Sequence, residues 1–351
     1  ARFAQIAHSR PMVERLTDVS LSTFAGDADD TGRIVQGCGH KPAISAARPH
    51  LQLCALRHCH ADMEPCPAPF NLSAYVLQHA HRVPDKIALS VLSPSTSERW
   101  SYARLESAVR AVGTGLLEAG LVPGDRILLR LHNSVAFPLA YLGAIAVGLV
   151  PMPTSAQLTT SELDRLVPMV NPKAIVAGGG VDLPSAPGTI ISEADLAAMQ
   201  SLPPADYAMG DPDRLAYIIF TSGTSGLPRA VAHGHRAIWA RRSMWNDWYG
   251  LREDDRLLHA GALNWTFTLG TGLLDPWSVG ATALVLSPDV SLDLLPLLLA
   301  RHDSTLLAAA PGVYRALLKN PDRLQFPKLR HALCAGAHLS ATLRSAWEES
   351  S

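Results

Sequence analysis

The sequence lacks a surplus of charge of either sign. Its 351 residues carry 30 Lys and Arg against 31 Asp and Glu, a formal net charge of −1, and charged residues make up only 17% of the chain. Proteins that bind nucleic acid or anionic membranes by charge carry a basic excess. The composition therefore gives no support for either partner. A hydrophobic content of 48% predicts a globular chain rather than a disordered one.

Long apolar runs are missing as well. The richest, residues 136–150, is too short to span a bilayer and contains Pro138. It predicts a core helix, with no stable membrane insertion. The N-terminal residues show no charged segment followed by a signal-type apolar core, so the expected location is cytoplasmic.

The first part of the chain has no tyrosine or tryptophan before Tyr75. It holds four of the five cysteines, but not in the paired C-x-x-C spacing of a zinc site, and no metal site is predicted. The chain starts at Ala1, and recognisable organisation begins only after Met63, a plausible natural start. We expect residues 1–62 to be an atypical, disordered leader. The cysteines concerned are Cys38, Cys54, Cys59 and Cys66.

Helical and strand patterns alternate from residue 71 onward. This alternation predicts an α/β fold with helical crossovers. The stretch 178–210 is rich in Gly, Pro, Ser and Ala, and is either a subdomain boundary or an irregular excursion within one domain. The predicted helices are 71–81, about 102–119, 134–147, 162–170, 237–248, 292–299 and 311–318, and the predicted strands are 87–92, 126–131, 174–177, 282–286, 305–309 and 329–333.

The most informative stretch, residues 215–235, reads LAYIIFTSGTSGLPRAVAHGH. An apolar run predicts a buried strand, and the small residues after it predict an exposed loop. Hydroxyls, bare backbone N–H groups and a following cation, Arg229, suit a polyphosphate, whereas composition alone would also fit a flexible Ser/Gly linker. Neither a Walker A loop nor a G-x-G-x-x-G turn is present. The small residues are Thr221, Ser222, Gly223, Thr224, Ser225 and Gly226.

Residues 217–229 resemble the signature loop of the AMP-forming adenylate synthetases, which include acyl- and aryl-CoA ligases, luciferases and peptide-synthetase adenylation domains. That family's usual form is Tyr/Phe-Thr-Ser-Gly-Thr-Thr/Ser-Gly-x-Pro-Lys-Gly, from which the chain departs at Arg229 and Ala230. Residues 100–105 and 122–126 also match family phrases. The resemblance implies the large N-terminal domain of the acyl-adenylate synthetase fold over residues 63–351, with stacked mixed sheets, flanking helices and the C-terminal part absent.

The resemblance also implies a reaction. A carboxylate attacks the α-phosphate of Mg²⁺-bound ATP, and the acyl adenylate then reacts with a thiol, usually that of coenzyme A. The loop Thr221–Gly226 with Arg229 would bind phosphates, and the turn formed by Ala335, Gly336 and Ala337 would lie beside adenine. His235, Asn264, Trp265 and Phe267 would line the acid pocket, although Asn264, Trp265 and Phe267 also fit a packed core helix and His235 an ordinary capping or surface histidine.

The acid is expected to be a fatty or aromatic monocarboxylate. Amino-acid-activating domains usually carry a Phe-Asp pair here, and Asn264-Trp265 supplies no such anion for an amine. A peptide-synthetase-like or luciferase-like relative is one alternative reading. A non-catalytic nucleotide-binding remnant is another, kept open by Arg229 and Ala230. Which acid reacts, and whether the thiol belongs to coenzyme A or a carrier protein, stays open.

Several family motifs are absent from the sequence: the Tyr-Gly-x-Thr-Glu segment whose glutamate helps bind magnesium, the later ribose-binding aspartate, and the catalytic lysine of the small C-terminal domain. No catalytic residue is therefore identified in this chain, and we expect the chain alone not to complete the ligase reaction. A break in the sheet after the strand 329–333 is expected to leave an exposed edge.

Overall fold

The computed structural model describes residues 2–5, 64–222 and 228–350. The described residues from Cys66 onward, together with the short segment 2–5, belong to one compact unit. Within these ranges no helix combines the length and the apolar character that crossing a bilayer requires.

The α/β fold predicted from the alternating pattern is confirmed. The strands are β1 (Arg2–Gln5), β2 (Ile87–Leu92), β3 (Ser97–Ser101), β4 (Arg126–Arg130), β5 (Val150–Pro153), β6 (Ala174–Ala177), β7 (Thr189–Ser192), β8 (Leu215–Ser222), β9 (Pro228–Gly234), β10 (Arg256–His259), β11 (Thr282–Leu286), β12 (Leu306–Ala309) and β13 (His331–Cys334). The α-helices are α1 (Leu72–Val76), α2 (Tyr102–Glu118), α3 (Ala136–Ala146), α4 (Thr160–Val170), α5 (Glu193–Met199), α6 (Ala237–Ala240), α7 (Arg242–Met244), α8 (Asp275–Ser278), α9 (Leu295–Arg301), α10 (Pro311–Leu317) and α11 (Ala341–Ser350).

The largest sheet has seven strands in the order β1-β13-β12-β10-β11-β2-β3. All its pairings are parallel except β2 with β3. Parallel strands are buried on both faces and read as continuous apolar runs, and β11 is buried at all five positions. Because the strands run the same way, the carboxyl ends of β10, β12 and β13 meet at one edge of the sheet. Ligands of α/β folds bind at such edges.

A second sheet has four parallel strands in the order β5-β4-β6-β7, and β8 pairs with β9 as an antiparallel hairpin. Helices α2 and α3 pack on each other so closely that a Cβ at Gly143 would lie 2.9 Å from the carbonyl oxygen of Val109. A helix contact of this kind requires glycine because any side chain would push the backbones apart.

Helix starts follow the capping residues in the sequence. The Asn71 side chain accepts the backbone N–H groups of Ser73 and Ala74, which confirms it as the N-cap of α1. Helix α4 opens with a capping box between Thr159 and Glu162. The predicted helix 71–81 is wrong in its second half, where α1 gives way to a 3₁₀ turn at Gln78–Ala80.

The edge expected to be exposed after residues 329–333 is covered instead. Strand β1 pairs in parallel with β13, from Arg2 opposite His331 to Gln5 opposite Cys334. This corrects the prediction of a wholly disordered leader for these four residues, while the rest of 1–62 lies outside the described residues. This pairing could not be predicted from the sequence, because a bare strand edge pairs through backbone groups alone and four residues carry no periodic signal.

Two other stretches differ from the expected pattern. Residues 178–210 hold β7, at the edge of the four-stranded sheet, and α5, between irregular segments at 178–188 and 200–209, and they belong to the same compact unit. The single helix expected over 237–248 is broken into α6, α7 and a π-helical turn, Trp245–Tyr249. A second π-helical segment, Thr268–Leu274, precedes α8. Such π segments cluster at functional sites and leave no distinct sequence pattern.

Candidate functional site

The predicted phosphate loop is the tip of the β8–β9 hairpin. The base of the hairpin is packed on both faces: Tyr217 and Ile219 join one apolar cluster, whereas Ile218 and Phe220 contact another that includes β4 and β6 residues. Tyr217 also stacks on the His233 ring opposite it, at 4.7 Å between centroids and 8° between planes. The described base of the hairpin is therefore held tightly on both faces.

At the tip, Thr221 lies opposite Arg229 in the hairpin register, and both are exposed. Residues directly opposite each other in an antiparallel pair project to the same face, so the hydroxyl and the guanidinium lie on one side. The Arg229 guanidinium forms no ion pair with any described residue. Ser222 ends β8, and the predicted phosphate ligands Gly223, Thr224, Ser225 and Gly226 lie outside the described residues.

The predicted adenine turn follows β13 at the carboxyl edge of the large sheet. Ala335 is buried, whereas Gly336 and Ala337 are exposed. Gly336 has φ +92°, and a Cβ there would lie 2.5 Å from two carbons of the Trp265 indole. Glycine is thus required twice, for the backbone conformation and for the indole contact. Trp265 comes from the loop after β10 and reaches this turn across β12, which brings a predicted acid-pocket residue against a predicted adenine residue.

Three aromatic rings pack together beside this contact. Phe267 lies edge-on to Trp265 at 5.3 Å and to the His259 imidazole at 4.5 Å, and His259 also lies edge-on to Trp265 at 6.3 Å. His259 ends β10 and is fully buried, whereas Trp265 is half-buried. Sequence reasoning missed His259, although a polar residue directly after the apolar pair Leu257 and Leu258 was an available signal.

The other two predicted pocket residues, Asn264 and His235, lie in different surroundings. Asn264 is half-buried in the turn directly before Trp265, one residue along the chain from the aromatic cluster. His235 does not join that cluster in any described interaction: it is buried, and its Nδ1 accepts the backbone N–H of Leu72 at 3.0 Å. Burial and the nearby Arg214 charge lower the pKa of His235 to about 3. This hydrogen bond holds the start of α1, and the assignment of His235 to the acid pocket stays a prediction.

A buried ionic network fixes the segments that carry the cluster. Arg241 donates from Nε to Asp275 Oδ1 at 2.8 Å and from Nη2 to Thr271 Oγ1 at 3.2 Å. Tyr249 and Trp245 also donate to the Asp275 carboxylate, which is fully buried. Burial favours a neutral arginine, but the Asp275 charge outweighs it and keeps the pKa of Arg241 above its ordinary value. The network joins the two π-helical segments on either side of Phe267. It could not be predicted from the sequence, because Arg241 and Asp275 lie 34 residues apart and no local pattern pairs them.

Acid is expected to destabilise the fold through His259. Burial lowers the pKa of this imidazole to about 3, against about 6.5 when unfolded. Between these values the unfolded state binds the extra proton, so the free energy of unfolding falls as the pH falls below 6.5. At pH 5 the loss from this one group is about 2 kcal/mol. Urea unfolding at pH 7 and pH 5 measures how much the free energy of unfolding falls between the two pH values. This fall should be smaller by about 2 kcal/mol in His259→Phe than in the original chain.

The matched control for this prediction is Thr268→Val, a buried neighbour that does not titrate. It should change the free energy of unfolding equally at pH 7 and pH 5. If His259→Phe and the original chain lose the same amount between the two pH values, the imidazole is already protonated or solvated in the folded state.

Comparison with known proteins identifies the family. A family model described as AMP-binding enzyme matches residues 76–351. The chain belongs to the AMP-binding enzyme family. This AMP-binding enzyme is 30% identical over 268 residues to the 4-hydroxybenzoate–CoA/benzoate–CoA ligase of Rhodopseudomonas palustris. The match covers 70% of this chain and 50% of that protein. It is 26% identical over 326 residues to the human mitochondrial acyl-coenzyme A synthetase ACSM2A, covering 84% and 56%.

Solved structures agree with this family. A benzoate CoA ligase from Burkholderia xenovorans matches with a TM-score of 0.72 and 25% identity over 80% of this chain and 59% of that one. The anthranilate CoA ligase AuaEII in complex with anthranoyl-AMP matches in fold, with a TM-score of 0.73 and 21% identity over 81% and 58%. The chain of this AMP-binding enzyme spans about half the length of the curated relatives it matches. The predicted N-terminal synthetase fold is therefore confirmed.

Proposed function

We propose that this chain carries the ATP- and acid-binding part of an acid–thiol ligase. The ligase converts an aromatic or fatty carboxylic acid to an acyl adenylate and then to a coenzyme A thioester. Several similar proteins are named for benzoate or hydroxybenzoate, and others, such as FadD13 of Mycobacterium tuberculosis, for long-chain fatty acids. The aromatic cluster of Trp265, Phe267 and His259 favours an aromatic acid for this chain, since aromatic pairs prefer edge-on contacts of this kind.

The observation that carries the proposal is the contact between Trp265 and Gly336. An acyl adenylate holds an acid and an adenosine in one molecule, so a site for it needs an acid pocket and an adenine surface in contact. In this chain a candidate from each meets at the carboxyl edge of one parallel sheet. Bringing two anions, the carboxylate and the triphosphate, together depends chiefly on positioning and charge neutralisation. Arg229 supplies part of the charge neutralisation, and the hydroxyls beside it add hydrogen-bond donors.

Magnesium enters this proposal as part of the substrate Mg²⁺–ATP. Among the described residues no three His, Cys, Asp or Glu side chains come together as a metal cage. Mg²⁺ usually keeps several waters and binds through substrate phosphates and one or two carboxylates, so the missing cage does not oppose ATP as substrate. The residues of this chain would orient the phosphates through backbone N–H groups and hydroxyls.

The test is direct binding of non-hydrolysable acyl-adenylate analogues to the purified chain. Calorimetric titration with benzoyl, octanoyl and alanyl sulfamoyl adenosine compares an aromatic, a fatty and an amino acid. We expect the benzoyl analogue to bind most tightly and the alanyl analogue least, because no described anion lies at the cluster to pair with an amine. Preferential binding of the alanyl analogue would contradict the proposed substrate class, and absence of binding by all three would contradict the function.

Arg229 provides a separate prediction for the phosphate end. Arg229→Ala should raise the Kd for ATP by about tenfold, since a charge-assisted hydrogen bond to a phosphate is lost. Arg229→Lys restores the usual family residue and should bind ATP at least as well as the original chain. Titration at two salt concentrations should show a smaller salt dependence in Arg229→Ala.

The control is Arg236→Ala. Arg236 is also exposed, but it pairs with Asp213 at 2.6 Å rather than standing at the hairpin tip. Its removal should leave the Kd for ATP unchanged. Equal effects of the two alanine variants would mean that ATP responds to overall charge, and the assignment of Arg229 would be wrong.

A further inference from the structure

Three buried polar atoms at the aromatic cluster have no hydrogen-bond partner among the described residues: both ring nitrogens of His259 and the hydroxyl oxygen of Thr268. Both side chains have no exposed surface. Burying a polar group without a partner costs free energy, and native structures rarely leave several such groups together. Their presence beside the candidate acid pocket calls for a partner that arrives with a ligand.

The geometry brings these atoms close to one another. A Cβ at Gly261 would lie 2.4 Å from Thr268 Oγ1 and 3.1 Å from His259 Nδ1, so only glycine permits both groups to approach the same stretch of backbone. Both atoms are therefore within reach of one oxygen, which can bridge partners about 5.5 Å apart. Gly272 packs beneath the imidazole, where its own Cβ would lie 2.8 Å from His259 Cβ, so the ring is fixed in place.

We propose that His259 and Thr268 recognise the ring hydroxyl of a hydroxyaromatic acid. The proposal rests on the function proposed above and names the substrate class of the same site. The acid's ring packs against the half-buried Trp265 indole, which lies edge-on to the imidazole, and its hydroxyl reaches past the indole to His259. Its carboxyl group then faces the turn at Gly336, which the same indole contacts.

The chemistry of the site selects a hydroxyl over a charged substituent. Burial alone accounts for the lowered pKa of His259, with no charged group contributing, so a second carboxylate or an amine would find no counter-charge here. The imidazole is neutral at pH 7 and offers one donor and one acceptor. A hydroxyl both donates and accepts, and the Thr268 hydroxyl can take either role.

The experiment compares benzoyl sulfamoyl adenosine with its 3- and 4-hydroxy derivatives, titrated into the chain by calorimetry. We expect at least one hydroxy derivative to bind about tenfold more tightly than the benzoyl analogue. Whether the 3-hydroxy or the 4-hydroxy derivative gains affinity tells which ring position faces His259 and Thr268. His259→Phe should abolish that gain and Thr268→Val should reduce it, with the gain taken in each variant as the ratio of its affinities for the hydroxy and benzoyl analogues. Thr268→Ser should keep the gain.

The outcomes separate this inference from the proposed function. If no analogue binds, the proposed function fails; if all bind but the hydroxyl gives no gain, or the gain survives His259→Phe, the inference alone is overturned and a buried water is the partner of these atoms. The control Ser90→Ala removes another buried, unpartnered hydroxyl, on β2, and should leave the gain unchanged.

A readout on the unaltered chain covers the case in which the variants fail to fold. With ¹⁵N-labelled histidine, the hydroxy derivative that binds more tightly should shift the imidazole resonances of His259, which sense hydrogen bonding directly. The benzoyl analogue should shift them much less. Equal shifts with both ligands would overturn the assignment of His259.

Discussion

Asp275→Ala is expected to lower the free energy of unfolding by about 3–5 kcal/mol. The substitution removes the carboxylate that accepts from Arg241, Tyr249 and Trp245 and leaves the largely buried Arg241 charge without a counter-ion. An unpaired buried charge costs far more than the pair contributes, because desolvation of the remaining ion is uncompensated. Urea unfolding monitored by circular dichroism gives the difference directly.

A double variant distinguishes charge from packing. Arg241→Met with Asp275→Leu removes both ions and keeps apolar volume, so it should be more stable than either single variant, although the Tyr249 hydroxyl still loses its acceptor. Asp255→Ala gives a comparison at the opposite end of β10, where Asp255 is the buried partner of Arg330. Asp255→Ala should lower the free energy of unfolding by a similar amount without affecting ligand binding. Additive effects of the Arg241 and Asp275 substitutions would show that the two side chains do not interact.

The Asp275 network matters for the site because it joins the segments on both sides of Phe267. Asp275→Ala should therefore also loosen the aromatic cluster, whereas Asp255→Ala should not. This separation is possible because a parallel sheet divides its two ends: the Asp255–Arg330 pair lies where the strands begin, and the turn at Gly336 lies where they end. Ligand sites of such sheets occur at the second end.

The sequence was most informative where a local rule decides the structure. The strands 87–92, 174–177 and 282–286 were predicted with the observed bounds because strands that lie beside parallel neighbours are predominantly apolar runs. The Asn71 cap followed from a side chain that reaches its own helix. The loop before Arg229 was predicted from small residues and hydroxyls at a strand end together with the family resemblance, and its role in phosphate binding stays a prediction.

The contacts that sequence reasoning missed join residues far apart in the chain. Nothing in the local pattern pairs Arg241 with Asp275, sets Trp265 on Gly336, or leaves His259 and Thr268 without hydrogen-bond partners in the part of the chain that the structure describes. His235 was assigned to the pocket by its position after the loop, yet its ring reaches the start of α1, 163 residues away. Strand β9 was missed because its residues are only partly buried and show no clean alternation.

Gly336→Val is expected to raise the Kd for an acyl-adenylate analogue by about a hundredfold. Two costs add: a β-branched residue at φ +92° is strained by about 1–2 kcal/mol, and its Cβ meets the Trp265 indole at 2.5 Å. The free variant relaxes by moving the turn and the indole. Binding must then restore the turn, and a hundredfold loss corresponds to about 2.7 kcal/mol.

Two further variants identify the cause. Gly336→Val combined with Trp265→Phe shortens the ring that the new side chain meets, so it should recover part of the affinity while the backbone strain remains. Gly312→Ala adds a Cβ where no atom lies within 4 Å and should leave the Kd unchanged. Calorimetric titration with benzoyl sulfamoyl adenosine measures all three. An unaltered Kd for Gly336→Val would show that this turn does not touch the adenylate, and the acid pocket would then have to be sought away from Trp265.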